Sequence, residues 1–199
     1  MSMTISINTP VELDLSVGRM SEEQFLLFCA DNPELRIEQD QYQNVIVMPP
    51  VYGESGYCEK KATGKLDLYE ENFGGVSFGP SSAFRLPNGA TRCADACWVS
   101  DERWGVLTEK QKKKFFPVVP DFVIEVRSET DRLKTLKAKM QEWMGNGTRL
   151  GWLIDPKTKK THIYREDDSV EIVEGFDKIL SGEEVVPGFK FDLKRLKMP

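Results

Sequence analysis

"PDFVIEVRSETDRLKTLKAKMQEWMGNGTRLGWLIDP", residues 120–156, decides the fold. Phe122, Val123, Ile124 and Val126 form an apolar run of strand length, and "LGWLI" at 150–154 forms a second. Between them Leu133, Leu136, Met140, Trp143 and Met144 recur at helical spacing, and Gly145-Asn146-Gly147 stops the pattern. Ser128 or Thr130 offers the helix an N-cap. Strand, helix and strand in that order predict a crossover unit, with two parallel strands buried on both faces. The expected fold class is α/β, or α+β by looser naming: a mixed β-sheet flanked by helices. One residue breaks the apolar pattern. Glu125 sits in the middle of the first strand, where a carboxylate loses hydration and needs a partner.

Working outward, residues 1–20 read as an N-terminal arm and residues 21–199 as a single domain. Ser21 caps a helix that ends before Pro33, with Glu22 and Glu23 in its first turn. "LRIEQD" and "NVIVMPP" predict a hairpin, and "ESGYCEKKATGKLDLYEENFGG" a helix with a Gly-Gly stop. Short strands follow near 76–78, 83–86 and 93–99. "DERWGVLTEKQKKKFFP" reads as a surface loop with a short helix. "KTHIYRE" and "SVEIVEG" alternate as a hairpin, which puts His162, the single histidine, toward solvent.

The 199 residues carry a net charge of −5, which argues against a general nucleic-acid coat protein but leaves room for a local cationic groove. No apolar run approaches the roughly 20 residues of a membrane span, and the start lacks a secretory pattern. Four cysteines with no oxidising signal point to free thiols and a cytoplasmic location.

Candidate chemistry starts from the partner Glu125 requires. Asp121, four residues upstream on a strand, lies roughly 13 Å away and cannot share an ion with it. Asp95 is the better candidate, embedded in the apolar "CADACWVS", read as one strand over 93–99. If that strand neighbours residues 122–127, both carboxylates come within reach of one divalent ion, and oxygen donors suit Mg²⁺. The competing reading pairs Asp95 with Arg127 or Arg92, and Glu125 with another cation.

"TRCADACWVSDERW", "PDFVIEVRSETDRLKTLKAKMQEWMGNG" and "LGWLIDP" together resemble the Uma-type family of bacterial restriction endonucleases, within the PD-(D/E)XK nuclease superfamily. The resemblance implies a restriction-endonuclease-like core and a metal-dependent endonuclease hydrolysing DNA with Mg²⁺ or Mn²⁺. Asp95 matches the first motif and Glu125 the second, both as metal ligands. Ala94 stands where the family usually has proline. Arg127 stands where the second motif has lysine, and an arginine stabilises an anion but does not act as a base. The family match puts the lysine in the following helix, at Lys139 with Gln141 beside it; Lys137 flanks the other edge of the apolar stripe, and spacing alone does not choose. An acid on the first core helix is implied as a further ligand, at Glu54 or, one turn on, Glu59. A homodimer is expected, with Trp104, Phe115 and Phe116 as exposed contact aromatics. The alternative function is a weak or inactive nuclease-fold protein that binds nucleic acid or a protein partner.

Overall fold

The computed structural model describes residues 11–13 and 20–199; the N-terminal arm expected over 1–20 otherwise lies outside the described residues. In chain order come β1 (Val11–Leu13), α1 (Glu22–Asp31), β2 (Arg36–Gln39), β3 (Val45–Met48), α2 (Gly53–Phe73) and β4 (Val76–Phe78). Next are β5 (Ala83–Arg85), β6 (Thr91–Cys93), β7 (Ala96–Val99), α3 (Asp101–Gly105) and β8 (Phe122–Val126). α4 (Leu133–Gly145), β9 (Leu150–Asp155), β10 (Lys160–Arg165), β11 (Val170–Glu174), β12 (Ile179–Ser181) and β13 (Lys190–Asp192) follow, and a short 3-10 helix (Leu193–Leu196) comes last.

The crossover unit is the centre of a mixed six-stranded sheet, ordered β11-β10-β9-β8-β7-β4. β8 and β9 run parallel, with Glu125 opposite Leu153, and every residue of both is buried. Burial on both faces follows from the two helices. α2 lays Cys58, Ala62, Leu66 and Tyr69 against Phe122, Ile124 and Trp152. α4 lays Met140 and Trp143 against Val123 and Leu153 on the other side. The alternation of Val123 and Glu125 with Phe122 and Ile124 therefore sends Glu125 toward α4.

A second sheet, ordered β1-β3-β2-β6-β5, packs Ile37, Val45 and Val47 against Phe25 of α1. A capping box between Ser21 and Gln24 starts that helix. The two sheets meet where the sequence suggested one continuous strand over 93–99. β6 pairs with β2 and β5, whereas β7 pairs with β4 and β8. The chain changes sheet at Ala94-Asp95, and the Asp95 carboxylate, accepting the Val126 N–H at 2.7 Å, fixes the corner.

Other expectations change for physical reasons. α4 starts at Leu133 behind Arg132, not at Ser128 or Thr130, because the Asp131 carboxylate accepts the Ser128 N–H at 2.8 Å and holds those residues in a turn. His162 is buried, and burial together with nearby Lys137 lowers its pKa. Trp104, Phe115 and Phe116 are not free surface aromatics. Trp104 and Phe116 pack with Phe78, while Phe115 packs against Phe25. Among the described residues no helix is long and apolar enough to cross a membrane.

The stop of α2 is the tightest point of the scaffold. Gly75 has φ +76°, and a Cβ there would lie 2.2 Å from the Trp98 indole nitrogen. That ring is fixed by its hydrogen bond to the Gly74 carbonyl at 3.0 Å. Gly75→Ala adds a disfavoured backbone conformation to overpacking and should cost about 2 kcal/mol or more, read as a lower urea midpoint. An unchanged midpoint would show that the indole gives way freely.

Candidate active site

Strand alternation builds the site before any side chain is considered. In β2, Ile37 turns into the small core, so Arg36 and Glu38 turn the other way. In β8, Glu125 turns toward α4. In α4, Lys139, Glu142 and Trp143 are spaced three and four residues apart and share a side. One step past the Ala96–Ile124 pair, Asp95 comes level with Glu125 across adjacent strands.

These residues form one buried network. The Lys139 ammonium donates to Glu38 at 2.9 Å, to the Cys93 carbonyl at 2.7 Å and to Glu125 Oε2 at 3.1 Å, and lies 3.0 Å from Glu125 Oε1. Trp143 Nε1 donates to Glu125 Oε1 at 2.9 Å. Glu38 also accepts from Arg92 Nη1 at 3.0 Å and from the Cys93 N–H at 3.2 Å. Arg92 Nε reaches Glu142, which accepts from Asn88 as well. On the other flank, Arg36 Nη2 donates to Asp95 Oδ1 at 3.0 Å.

Glu59 of α2 completes the cluster. Thr63, one turn further on, donates its hydroxyl to the Asp95 carbonyl at 3.3 Å, so this part of α2 lies against the corner. Glu59 is buried and has no hydrogen bond to a described residue. Burial first, then the charges of Asp95 and Glu125, push its carboxyl up to about 8. Burial likewise raises Glu125 to about 7, although Lys139 pulls the other way. Glu38 differs: Lys139 and Arg92 outweigh the burial that opposes its charge, and hold it down to about 2. Lys139 is raised, since Glu125 and Glu38 outweigh the burial that would strip its proton.

Five carboxylates (Glu38, Glu59, Asp95, Glu125, Glu142) therefore face three cations (Arg36, Arg92, Lys139). With every carboxyl ionised the imbalance would be two negative charges, the charge of one divalent ion; without an ion, the raised Glu59 and Glu125 carboxyls lessen it by holding protons. Glu59, Asp95 and Glu125 offer only oxygen donors, the chemistry of a hard divalent cation. As they stand, no three acidic, histidine or cysteine side chains among the described residues converge into an ion-holding group. Arg36 pairs with Asp95 and Lys139 with Glu125, so two of the carboxylates an ion would use already hold a cation. Charge and donor type fit a divalent ion; entry requires these two carboxylates to open toward it.

Of the residues singled out in the sequence, Asp95, Glu125 and Lys139 come together. Arg127 does not join them; it donates to Asp155 at 2.8 Å and to the Asp131 carbonyl at 3.2 Å. Gln141 is exposed on α4, and Glu54 is exposed in the first turn of α2. The acid that α2 brings to the cluster is Glu59. Lys137 makes no ion pair with these carboxylates among the described residues; its charge acts on His162, whose pKa it helps to lower. Asp121 lies at the other end of β8, accepting the Ser100 N–H and pairing with Arg103 at 3.1 Å. Sequence reasoning missed Arg36, Glu38 and Glu142. The signal for the first two was present: charges at alternate positions of "RIEQ", flanking an isoleucine, predict a polar strand face.

Comparison with known proteins agrees with this architecture. The profile of the Uma2 family, described as "Putative restriction endonuclease", matches residues 22–194. No curated protein matches the chain. Among solved structures, a "putative nuclease belonging to DUF820" from Anabaena variabilis superposes with a TM-score of 0.69. The match is 17% identical and covers 80% of this chain and 88% of that one, a likeness of fold.

The raised carboxyls make stability depend on pH. A carboxyl with a raised folded-state pKa binds protons more tightly folded than unfolded, so its stabilisation is lost as pH climbs toward the raised value. His162, with a lowered pKa, acts in the opposite sense but only up to its ordinary value near 6.5. Between pH 6.5 and 8 the metal-free protein should therefore lose melting temperature, and Glu59→Gln should flatten the decline. Parallel declines in the two proteins would remove Glu59 from the charge cluster.

Proposed function

We propose, from the premise that this chain belongs to the Uma2 restriction endonuclease family, that it is a Mg²⁺-dependent endonuclease hydrolysing DNA phosphodiester bonds. The observation that carries the reading is the pair of buried acids Asp95 and Glu125, brought level across adjacent strands with the Lys139 ammonium beside Glu125; Glu59 of α2 is buried near enough for both charges to raise its carboxyl. Those three carboxylates would hold the ion. When bound, it would lower the pKa of water and offset charge on the phosphoryl oxygens.

The chain's own residues supply orientation and charge. Trp143 and Lys139 hold the Glu125 carboxylate from two sides, so its direction is set before a substrate arrives. Lys139 stays an ammonium, with Glu38, Glu125 and the Cys93 carbonyl as acceptors. Its role is electrostatic: it offsets negative charge building on an attacked phosphate, and it does not take a proton from water. Arg127, committed to Asp155, has no part in this scheme.

Cutting both strands of a duplex needs two sites or two passes, and a homodimer in the cytoplasm would provide the first. A second reading, a nuclease fold that binds nucleic acid without cutting it, is favoured by one observation: Arg36 and Lys139 already neutralise the acids an ion would use.

Plasmid cleavage with Mn²⁺ separates the two. Asp95→Asn and Glu125→Gln should each lower the rate by about 10²-fold or more, with the circular dichroism melt confirming a folded protein. Lys139→Arg should keep part of the activity, because the charge remains. Lys139→Ala leaves the buried Glu125 without its cation and Glu38 with Arg92 alone, and should cost about 3–5 kcal/mol of stability as well. No Mn²⁺-dependent cleavage by the wild type would favour the binding reading.

A further inference from the structure

We infer that Arg36 exchanges partners, holding Asp95 while no divalent cation is bound and moving to a phosphodiester oxygen once that carboxylate is taken. The phosphate half rests on the nuclease reading; the cation half does not.

Arg36 is the least anchored cation of the cluster. Lys139 bridges Glu38 and Glu125, and Arg92 bridges Glu38 and Glu142, so each is held by two acids. Arg36 makes one side-chain hydrogen bond to a described residue, to Asp95 Oδ1. Its Nε is buried and has no partner among the described residues. Its side chain is also the most accessible of the three, 20% exposed against 11% for Arg92 and 9% for Lys139. It stands at the first residue of β2, where the chain has just left the turn at 32–35.

Place and chemistry then fix the exchange. Asp95 Oδ2 is committed to the Val126 N–H, which leaves Oδ1, the atom Arg36 holds, as the better-placed oxygen for an ion. Two cations on one oxygen repel, so binding of the ion displaces the guanidinium. The displaced group keeps five donors in a planar fork that matches two phosphate oxygens, and its Nε–H then gains the partner it lacks.

The two halves give opposite signs in Arg36→Gln, which a residue merely supporting Asp95 would not. Calorimetric titration of Mn²⁺ into the full chain should show the variant binding about tenfold more tightly than wild type, since the competing cation is gone. Binding of a 20-base-pair duplex, followed in Ca²⁺ by fluorescence anisotropy, should weaken by about tenfold. Arg36→Lys, which keeps the charge but loses the fork, should restore the Mn²⁺ affinity of the wild type more fully than its DNA affinity. Equal or weaker Mn²⁺ binding by Arg36→Gln overturns the exchange, as does duplex binding equal to wild type. Tighter Mn²⁺ binding with no duplex bound by any form, wild type included, upholds the cation half and counts against the nuclease reading together with the phosphate half.

Discussion

Lys139 brings one positive charge into the interior, and much of the molecule is arranged to receive it. Its ammonium meets Glu38 from the small sheet, Glu125 from the large sheet and the Cys93 carbonyl from the corner between them. An unpaired ammonium or carboxylate at that depth would be strongly destabilising, and each is tolerated only because the others are in place. The interaction thus does two jobs. It ties the two sheets and α4 together, and it gathers acids at a single point.

Gathering has an electrostatic consequence. Three cations do not neutralise five carboxylates, and the remainder falls on Glu59 and Glu125, both pushed above the usual carboxylate range. The network is asymmetric in the same way. Around Glu38 every oxygen is held and the carboxyl stays ionised. Around Glu59 no described residue donates a hydrogen bond, and Arg36 and Lys139 only partly offset its burial and the charges of Asp95 and Glu125. The first half reads as scaffold and the second as the place where a ligand's charge has something to gain.

Much of the fold was legible because β8, α4 and β9 announce themselves by periodicity, and Glu125 and Asp95 stood out as acids in apolar runs. Three things were not legible. The break at Ala94-Asp95 is invisible in a stretch that is apolar apart from Asp95, because it comes from a change of pairing partner rather than from a turn residue. Glu59 could not be separated from Glu54, since helical spacing gives the face of α2 only once its partners are known; burial of Cys58 and Ala62 decides it. Arg127 shares the expected strand face with Glu125 but lies beyond the end of β8, where Asp155 competes for it successfully. Glu38 was the avoidable omission, for its strand was correctly placed and its alternation with Ile37 was on view.

The central claim is that Glu59, Asp95 and Glu125 form one divalent-cation site. A crystal soaked in Mn²⁺ and measured at the manganese absorption edge tests it most directly. The account predicts a single anomalous peak per chain with oxygens of all three carboxylates around it. A peak coordinated elsewhere, or none at millimolar Mn²⁺, would contradict it.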